Sequence, residues 1–327
     1  MAFTTINKSS EHFNTVLYTG NATERDITTG LTTTDLVWNK RRDANGNHML
    51  YDKVRGINKD INPDLSEAEE TQVGTVTAFG TNTFSMGTHG GTNATGESRV
   101  AWCWSESATA GLDIVSYTGN SNDDATQNVS HSLSAVPRFI IIKATTEGEH
   151  WAVYHAGTTA SKMMYLNLPN AEETTQFGTD PTSSVFQVGT NIMVNGDTET
   201  YIAYCFSEVQ GFSKFGAYSG NDSAAGAFIY TGFKPAMVIL KCNSNASTPW
   251  TIWDNKRPGY NVTNLRIRPD TNDDEDTSTA DPIDLLSNGF KCRGSNDDTN
   301  KAGSTYTYMA WAEFPFVSSS GTPITAG

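Results

Sequence analysis

Short apolar stretches separated by polar turns run through the whole chain. Two of them, RFIIIK ending at Lys143 and AMVILK ending at Lys241, are continuous apolar runs typical of strands buried on both faces. The segment YIAYCFSE, which ends at Glu208, places alternate side chains on opposite faces of a strand. Gly, Asn, Asp and Pro bound these stretches, and the acidic segment LSEAEETQ from Leu65 is at best one helical turn. The pattern therefore predicts an all-β chain.

The same order of features occurs three times along the sequence. The turn motif YTGN begins at Tyr18 and at Tyr117, and YSGN begins at Tyr218, so the repeats are about 100 residues apart. This period is longer than that of a solenoid or a propeller blade, which favours separate modules. We expect three tandem antiparallel β-sandwich or jelly-roll modules. Their expected bounds are 1–108 for module 1, 109–210 for module 2, and 211–327 for module 3 with a short C-terminal tail.

Each module ends with an aromatic-rich segment, and these segments set the expected alignment. We take three alanines as equivalent positions: Ala101, Ala203 and Ala310. On this alignment Glu106 and Glu208 correspond, whereas Glu313 falls opposite Trp104. The joins between modules are short, which predicts a stiff, packed row of modules rather than domains on flexible linkers.

The charge of the chain excludes several partners. A net charge of −14 and a pI near 4.8 argue against nucleic acid and against an anionic membrane surface. No apolar stretch is long enough to span a membrane, so we expect no membrane insertion. The first residues lack the pattern of a secretory signal, so we expect a chain that is cytoplasmic at synthesis or is delivered outside by a route other than its own leader. Cys103 and Cys205 lie in aromatic segments and are expected to be buried thiols.

The sequence offers no convincing catalytic set, so we expect a protein that is not an enzyme. The chain lacks a GxSxG motif, and its six histidines all lie in modules 1 and 2, where we expect surface or strand-edge positions. Glu106 and Glu208 stand at strand ends, where carboxylates are usually solvated. The seven tryptophans mostly lie in predicted strands and are expected in the core.

The motif D-x-x-R supplies the candidate binding residues. It occurs as Asp52 with Arg55 in module 1 and as Asp254 with Arg257 in module 3, whereas module 2 has YHAG instead. An ion pair that fixes a tight turn is the simpler interpretation, and such a pair at the surface adds little stability. The alternative is that the planar guanidinium binds a ligand or a neighbouring subunit.

Three acidic loops could supply oxygen ligands to Ca²⁺. They are 122–124, 273–276 and 296–298. None matches the spacing of a calcium loop, so solvated turns are the expected role and we assign no metal site and no cofactor.

Several segments resemble a module of tailed-bacteriophage virion proteins. In module 1 they are DLVWNKRR, HMLYDKVRG, VTAFGTNTFSMG and NATGESRVAWCW, and in module 3 they are YTGFKPAMVILK, TIWDNKRPGYN, LLSNGFK and YMAWAEFPF. The module is common in tail-fibre-like and other virion proteins, especially of marine and cyanobacterial phages. The resemblance covers nearly the whole chain, and module 2 diverges most.

The resemblance implies a lectin-like or laminin-G-like β-sandwich and a structural or adhesive role. We therefore expect a non-enzymatic virion protein, most simply a tail or tail-fibre component at the particle surface that serves assembly and host contact. Its expected partners are other virion proteins and further copies of itself, since homo-oligomers are common among such proteins. The alternative function is a carbohydrate-binding, lectin-like adhesin that recognises host-surface glycans.

Overall fold

The computed structural model describes residues 4–121, 125–158, 161–277, 282–318 and 320–322. Within them, strands dominate and the helical elements are short. Module 1 begins with a 3₁₀ turn at Ser9–Glu11 and continues with β1 (Phe13–Thr19), β2 (Arg25–Thr28), β3 (Leu36–Arg41), β4 (Met49–Asp52), β5 (Lys59–Asp60), β6 (Glu70–Thr71), β7 (Val76–Phe79), β8 (Thr83–Met86), α1 (Gly90–Asn93) and β9 (Ser98–Trp104). The acidic segment from Leu65 is therefore extended in part, as β6, and contains no helix.

Modules 2 and 3 contain the same kinds of element. Module 2 has β10 (Leu112–Thr118), β11 (Gln127–Ser130), β12 (Pro137–Ala144), β13 (Ala152–His155), β14 (Lys162–Tyr165), β15 (Glu173–Thr174), β16 (Val185–Val188), α2 (Ile192–Asn195) and β17 (Thr200–Ser207). Module 3 has β18 (Ser213–Ser219), β19 (Phe228–Tyr230), β20 (Phe233–Cys242), β21 (Thr251–Asp254), β22 (Ile283–Leu286), β23 (Gly289–Cys292) and β24 (Thr305–Pro315).

One sheet topology occurs in all three modules. The main sheet has the strand order β1-β9-β3-β4 in module 1 and β18-β24-β20-β21 in module 3. In module 2 the order β10-β17-β12-β13 is extended by β14 and β15. Each main sheet is accompanied by smaller sheets. They are β2-β8-β7 and β5-β6 in module 1, β11-β16 in module 2, and β19-β23-β22 in module 3. All paired strands are antiparallel, which confirms the predicted all-β fold of sandwich type.

Each main sheet is covered on both faces. In module 1 one face, including Val37 and Cys103, packs against Ile27 and Phe84 of the small sheet. The opposite face, including Trp102, joins a core that contains residues of all three modules. Burial on both faces explains why the central strands read as continuous apolar runs.

The shared core has an aromatic centre to which each module contributes one residue. The ring centroids of Trp104 and Phe206 are 6.3 Å apart, and Trp311 lies 5.4 Å from each of them. These three residues occupy equivalent positions in the three main sheets. Each pairs with a residue of the adjacent strand β3, β12 or β20, namely Leu36, Phe139 or Met237. The three main sheets therefore face one another across a common core.

The strand register corrects the alignment expected from the sequence. Since Trp311 is equivalent to Trp104, Ala310 corresponds to Cys103 rather than to Ala101, and Glu313 corresponds to Glu106. The expected alignment was wrong by two residues. A shift of two along a strand leaves every side chain on the same face, so the apolar pattern cannot detect it.

Backbone hydrogen bonds join the modules in a closed ring. The amide of Glu69 donates to the carbonyl of Thr145 (2.9 Å), and Glu172 donates to Asn243 (2.8 Å). The acidic loop of module 3 returns to module 1, where Glu275 donates to the carbonyl of Arg42 (3.0 Å). The three modules are thus packed against one another, and these contacts close them into a ring.

Candidate functional site

The first candidate pair, Asp52 with Arg55, lies in the turn after β4. The Oδ1 atom of Asp52 accepts the Arg55 amide at 2.8 Å, and the guanidinium binds Oδ2 of the same carboxylate. Arg55 also donates to the carbonyl of Leu50 at 2.7 Å. The side chains are 4% and 0% exposed for Arg55 and Asp52, so the predicted ion pair is buried rather than at the surface.

The second pair, Asp254 with Arg257, repeats this geometry in module 3. Arg257 Nε binds Asp254 Oδ2 at 2.6 Å, and Nη1 binds Glu275 Oε2 at 3.2 Å. Burial by itself would raise the pKa of Asp254, but Arg257 and the backbone amides outweigh it and hold the pKa below its ordinary value. The carboxylate is therefore charged and fully paired in the interior.

Both carboxylates also accept a hydrogen bond from a neighbouring module. The Tyr204 hydroxyl of module 2 donates to Asp52 at 2.8 Å, and Trp102 Nε1 of module 1 donates to Asp254 at 3.0 Å. In module 2 the equivalent position is His155, whose Nε2 lies 3.2 Å from the carbonyl oxygen of Tyr308. The D-x-x-R turns thus join modules of one chain, and their donors and acceptors face the interior.

A second set of interface residues was missed at the sequence level. His48, Trp151 and Trp250 stand at equivalent positions before the fourth strand of each main sheet. A ring nitrogen of each lies close to a backbone carbonyl oxygen of another module. The distances are 2.9 Å from His48 Nε2 to Arg268 O, 3.0 Å from Trp151 Nε1 to Leu65 O, and 2.7 Å from Trp250 Nε1 to Tyr165 O. His48 Nδ1 accepts from Trp38 Nε1 at 2.9 Å, which leaves the proton on Nε2 for Arg268. The recurrence of a ring N–H donor just before each aromatic strand was the available signal.

The prediction for the histidines was wrong at two positions. His48 and His155 are buried, and burial is the main cause that lowers the pKa of each, to about 4 for His155. They are buried because each occupies a module interface that the sequence could not show. The other expectations for buried residues are confirmed. All seven tryptophans are buried, and so are Cys103 and Cys205, which are free thiols.

Lysines at the ends of the third strands are also buried. Lys40 Nζ donates to Arg41 O at 2.8 Å, Lys143 Nζ donates to Ala144 O at 2.7 Å, and Lys241 Nζ donates to Pro169 O at 3.1 Å. Burial lowers the pKa of Lys40 and Lys143 to about 8 and also lowers that of Lys241. Their ammonium groups satisfy backbone carbonyls where strands end.

The strand-end glutamates occupy equivalent positions near the joins. Glu106 accepts the amide of Ile114, and Glu208 accepts the amide of Phe215, each at 2.9 Å. Glu313 forms an ion pair with Lys234 at 2.9 Å. The first two carboxylates therefore fix the start of the following module, which is a structural role.

The acidic loops lie beside arginines where they are described. Arg266 binds Asp276 at 2.9 Å and Asp298 at 3.2 Å, and Arg268 is 3.8 Å from Asp273. Residues 122–124 lie outside the described residues. In the described parts of the chain, no group of three or more His, Cys, Asp or Glu side chains converges as a metal site would require.

An open cleft of about 450 Å³ lies between the end of module 2 and module 3. It is lined by Glu208, Gln210, Gly211, Ser213, Lys214, Tyr230, Thr231, Gly232, Phe316 and Val317. Lys214 Nζ lies 3.2 Å from Glu208 Oε2, and Tyr230 is 60% exposed. Apart from Glu208, none of these residues was singled out from the sequence, because they come from three separate segments of the chain.

The model of one protein family matches residues 8–315 of the chain. The chain belongs to the family of the domain of unknown function DUF7483. No curated protein and no solved structure matches it. The DUF7483 match runs from the 3₁₀ turn through β24, so the family unit is the complete ring and not a single module. No helix among the described residues is long and apolar enough to cross a membrane.

Proposed function

We propose that this chain is a non-enzymatic structural protein of a tailed-bacteriophage virion, placed in the tail or its fibres, where it serves assembly and host contact. The observation that carries the proposal is the closed ring in which the candidate charged residues hold modules together. The resemblance of modules 1 and 3 to virion modules is the reason for proposing a virion as the location.

The chemistry of the interfaces supports a scaffold. Removing one partner of a buried, hydrogen-bonded ion pair is costly, so buried pairs tend to fix one arrangement of the elements around them. Here Asp52 and Asp254 each join an arginine of their own module to an aromatic donor of another module. Side chains bonded in this way fix the arrangement of the modules. They are poorly suited to bind and release a substrate.

A second candidate function is a carbohydrate-binding adhesin that recognises host-surface glycans. The open cleft at the module 2–module 3 junction favours it, because the exposed ring of Tyr230 lies beside charged and amide side chains. The two functions are compatible, since a tail protein can also be the adhesin.

The location is tested on intact particles. Particles released from cells that encode the chain are purified on a density gradient, labelled with an antibody against the chain and viewed by electron microscopy. We expect gold label on the tail and the chain among the particle proteins identified by mass spectrometry. Particles that contain capsid proteins but neither label nor peptides of this chain would contradict the proposal. Pre-immune serum is the control.

A further inference from the structure

The cleft lies at a corner of module 3, between the first strand of the main sheet and the turn after the first strand of the small sheet. In modules 1 and 2 a side-chain hydrogen bond joins these two segments. In module 1, Asn14 Nδ2 donates to the carbonyl of Thr29 at 2.6 Å. In module 2, the carboxylate of Asp113 accepts from the amide of Ser132 at 2.6 Å and from its hydroxyl at 2.8 Å. In both modules the first strand of the main sheet is thus tied to the turn that follows the first strand of the small sheet.

Module 3 has a different residue at this position. Lys214 pairs with Ala310 as Asn14 pairs with Cys103 and Asp113 with Cys205, so the three are equivalent. Lys214 extends to Glu208 Oε2 at 3.2 Å, and the corner that the other modules tie is occupied by the cleft.

The small sheet of module 3 also differs at the cleft. Tyr230 is equivalent to Thr28 of module 1 and Ser130 of module 2. The residue just before each of them pairs with a phenylalanine of the adjacent strand, and these phenylalanines are equivalent in the three modules. Gly232, which also lines the cleft, has a φ of 84°, a backbone conformation that favours glycine. The Tyr230 side chain is 60% exposed, so its ring is accessible from the cleft.

A second cleft of about 370 Å³ adjoins the first. The two clefts share Glu208 and Gln210, and the second adds Thr4, Thr5 and Thr109. The combined groove thus has an aromatic surface at one end and hydroxyl and amide groups along its length. It offers room for more than one small ring.

We infer that this groove binds an oligosaccharide. A sugar ring has an apolar C–H face and a rim of hydroxyl groups. Tyr230 provides a flat apolar surface for this face, because its ring is exposed. Lys214 and Gln210 donate hydrogen bonds to the hydroxyls, and Glu208, which accepts the Phe215 amide and pairs with Lys214, positions the Lys214 ammonium group at the groove. The inference rests on the second candidate function and names the site that would perform it.

The experiment uses the full chain on an array of immobilised bacterial and plant oligosaccharides. Each glycan that gives signal is then titrated in solution by calorimetry. Two variants replace groove residues with those of the other modules. Tyr230→Ser introduces the residue that module 2 has at this position, and Lys214→Asn introduces the residue of module 1. We expect each to weaken binding at least tenfold, because loss of one aromatic or polar contact at a binding site commonly has this effect. Tyr260→Ser removes a tyrosine that is 79% exposed outside the groove and should bind like the wild type.

Two results would overturn the inference. One is an array without signal for the wild-type chain. The other is a glycan whose affinity is unchanged in both Tyr230→Ser and Lys214→Asn. Unfolding temperatures equal to that of the wild type show that the variants are folded. Particle labelling is independent of this test, so a virion protein without a glycan site would be recognised as such.

Discussion

Arg257 binds two carboxylates at the interface between modules 3 and 1, the buried Asp254 and the partly exposed Glu275. Its guanidinium binds Asp254 and Glu275, and Glu275 in turn binds Arg42 of module 1 at 2.9 Å. Arg257→Ala leaves both carboxylates without this partner, so we expect a loss of about 3–5 kcal/mol in the free energy of unfolding. Urea denaturation measures it. Lys256→Ala, at the exposed neighbouring position, is the control, and equal stability of the two variants would contradict the structural role.

His155 makes stability depend on pH. Burial lowers its folded-state pKa from 6.5 to about 4, so the unfolded chain takes up the proton first as the pH falls. Stability is complete above about pH 6.5 and decreases toward pH 4. Between pH 7.5 and pH 5 we expect this residue alone to remove about 2 kcal/mol.

The variant His155→Asn isolates this contribution. An asparagine can still accept the amide of Gly157, which now donates to His155 Nδ1 at 2.9 Å, but it does not titrate. The pH dependence of the wild type should exceed that of the variant by the stated amount in urea denaturation at the two pH values. Other titrating groups, including His48, are common to both proteins. Parallel pH profiles would show that His155 does not carry the effect.

The YTGN turn is the element that the three modules share most closely. In module 2 the hydroxyl of Tyr117 donates to Val194 O at 2.7 Å, and the amide of Asn120 donates to Asn195 Oδ1 at 3.0 Å. Gly119 lies between them, and a Cβ atom there would be 2.1 Å from the carbonyl oxygen of Gly196. In modules 1 and 2 the motif therefore docks the end of the first strand onto the short helix before the last strand.

This close approach predicts that Gly119→Ala destabilises the protein by about 3 kcal/mol, since backbone must move to admit the methyl group. Gly90→Ala is the matched control, because a Cβ atom at Gly90 would meet no atom within 4 Å beyond its chain neighbours and the backbone of its own helix. Thermal unfolding followed by circular dichroism compares the two. An equal change in both variants would contradict the close docking.

Elements could be predicted better than their alignment. The strands were visible because apolar runs such as RFIIIK at β12 and alternation at β17 depend on local burial. The alignment of β24 with β9 depends on which residue meets Trp104 in the shared core, and this is a contact between distant segments. The cleft beside Tyr230 could not be predicted either, because it is formed where separate segments fail to fill a corner.

The shared core makes the ring the unit of stability. Trp104, Phe206 and Trp311 contact one another across modules, so no module can retain its complete core alone. We expect one cooperative transition in calorimetry of the full chain, with equal calorimetric and van't Hoff enthalpies. Two or more resolved transitions would show that the modules unfold independently.

A truncated chain that ends at residue 210 tests the same point by removal. It lacks Trp311 and the Glu275–Arg42 contact, and it exposes apolar surface of both remaining main sheets. We expect aggregation or loss of near-UV circular dichroism, because a large exposed apolar face is unfavourable in water. A monomeric 1–210 fragment with native-like spectra would contradict the shared core.

The sequence by itself determined the strands, the turns and the recurrence of the YTGN motif, because these depend on periodicity and on residues near one another in the chain. Only the tertiary structure decided that the third module returns to the first, that Asp52 and Asp254 are buried at module interfaces, and that one corner stays open beside Tyr230. Such features depend on contacts between residues distant in sequence, and a pattern of period two does not specify which faces meet.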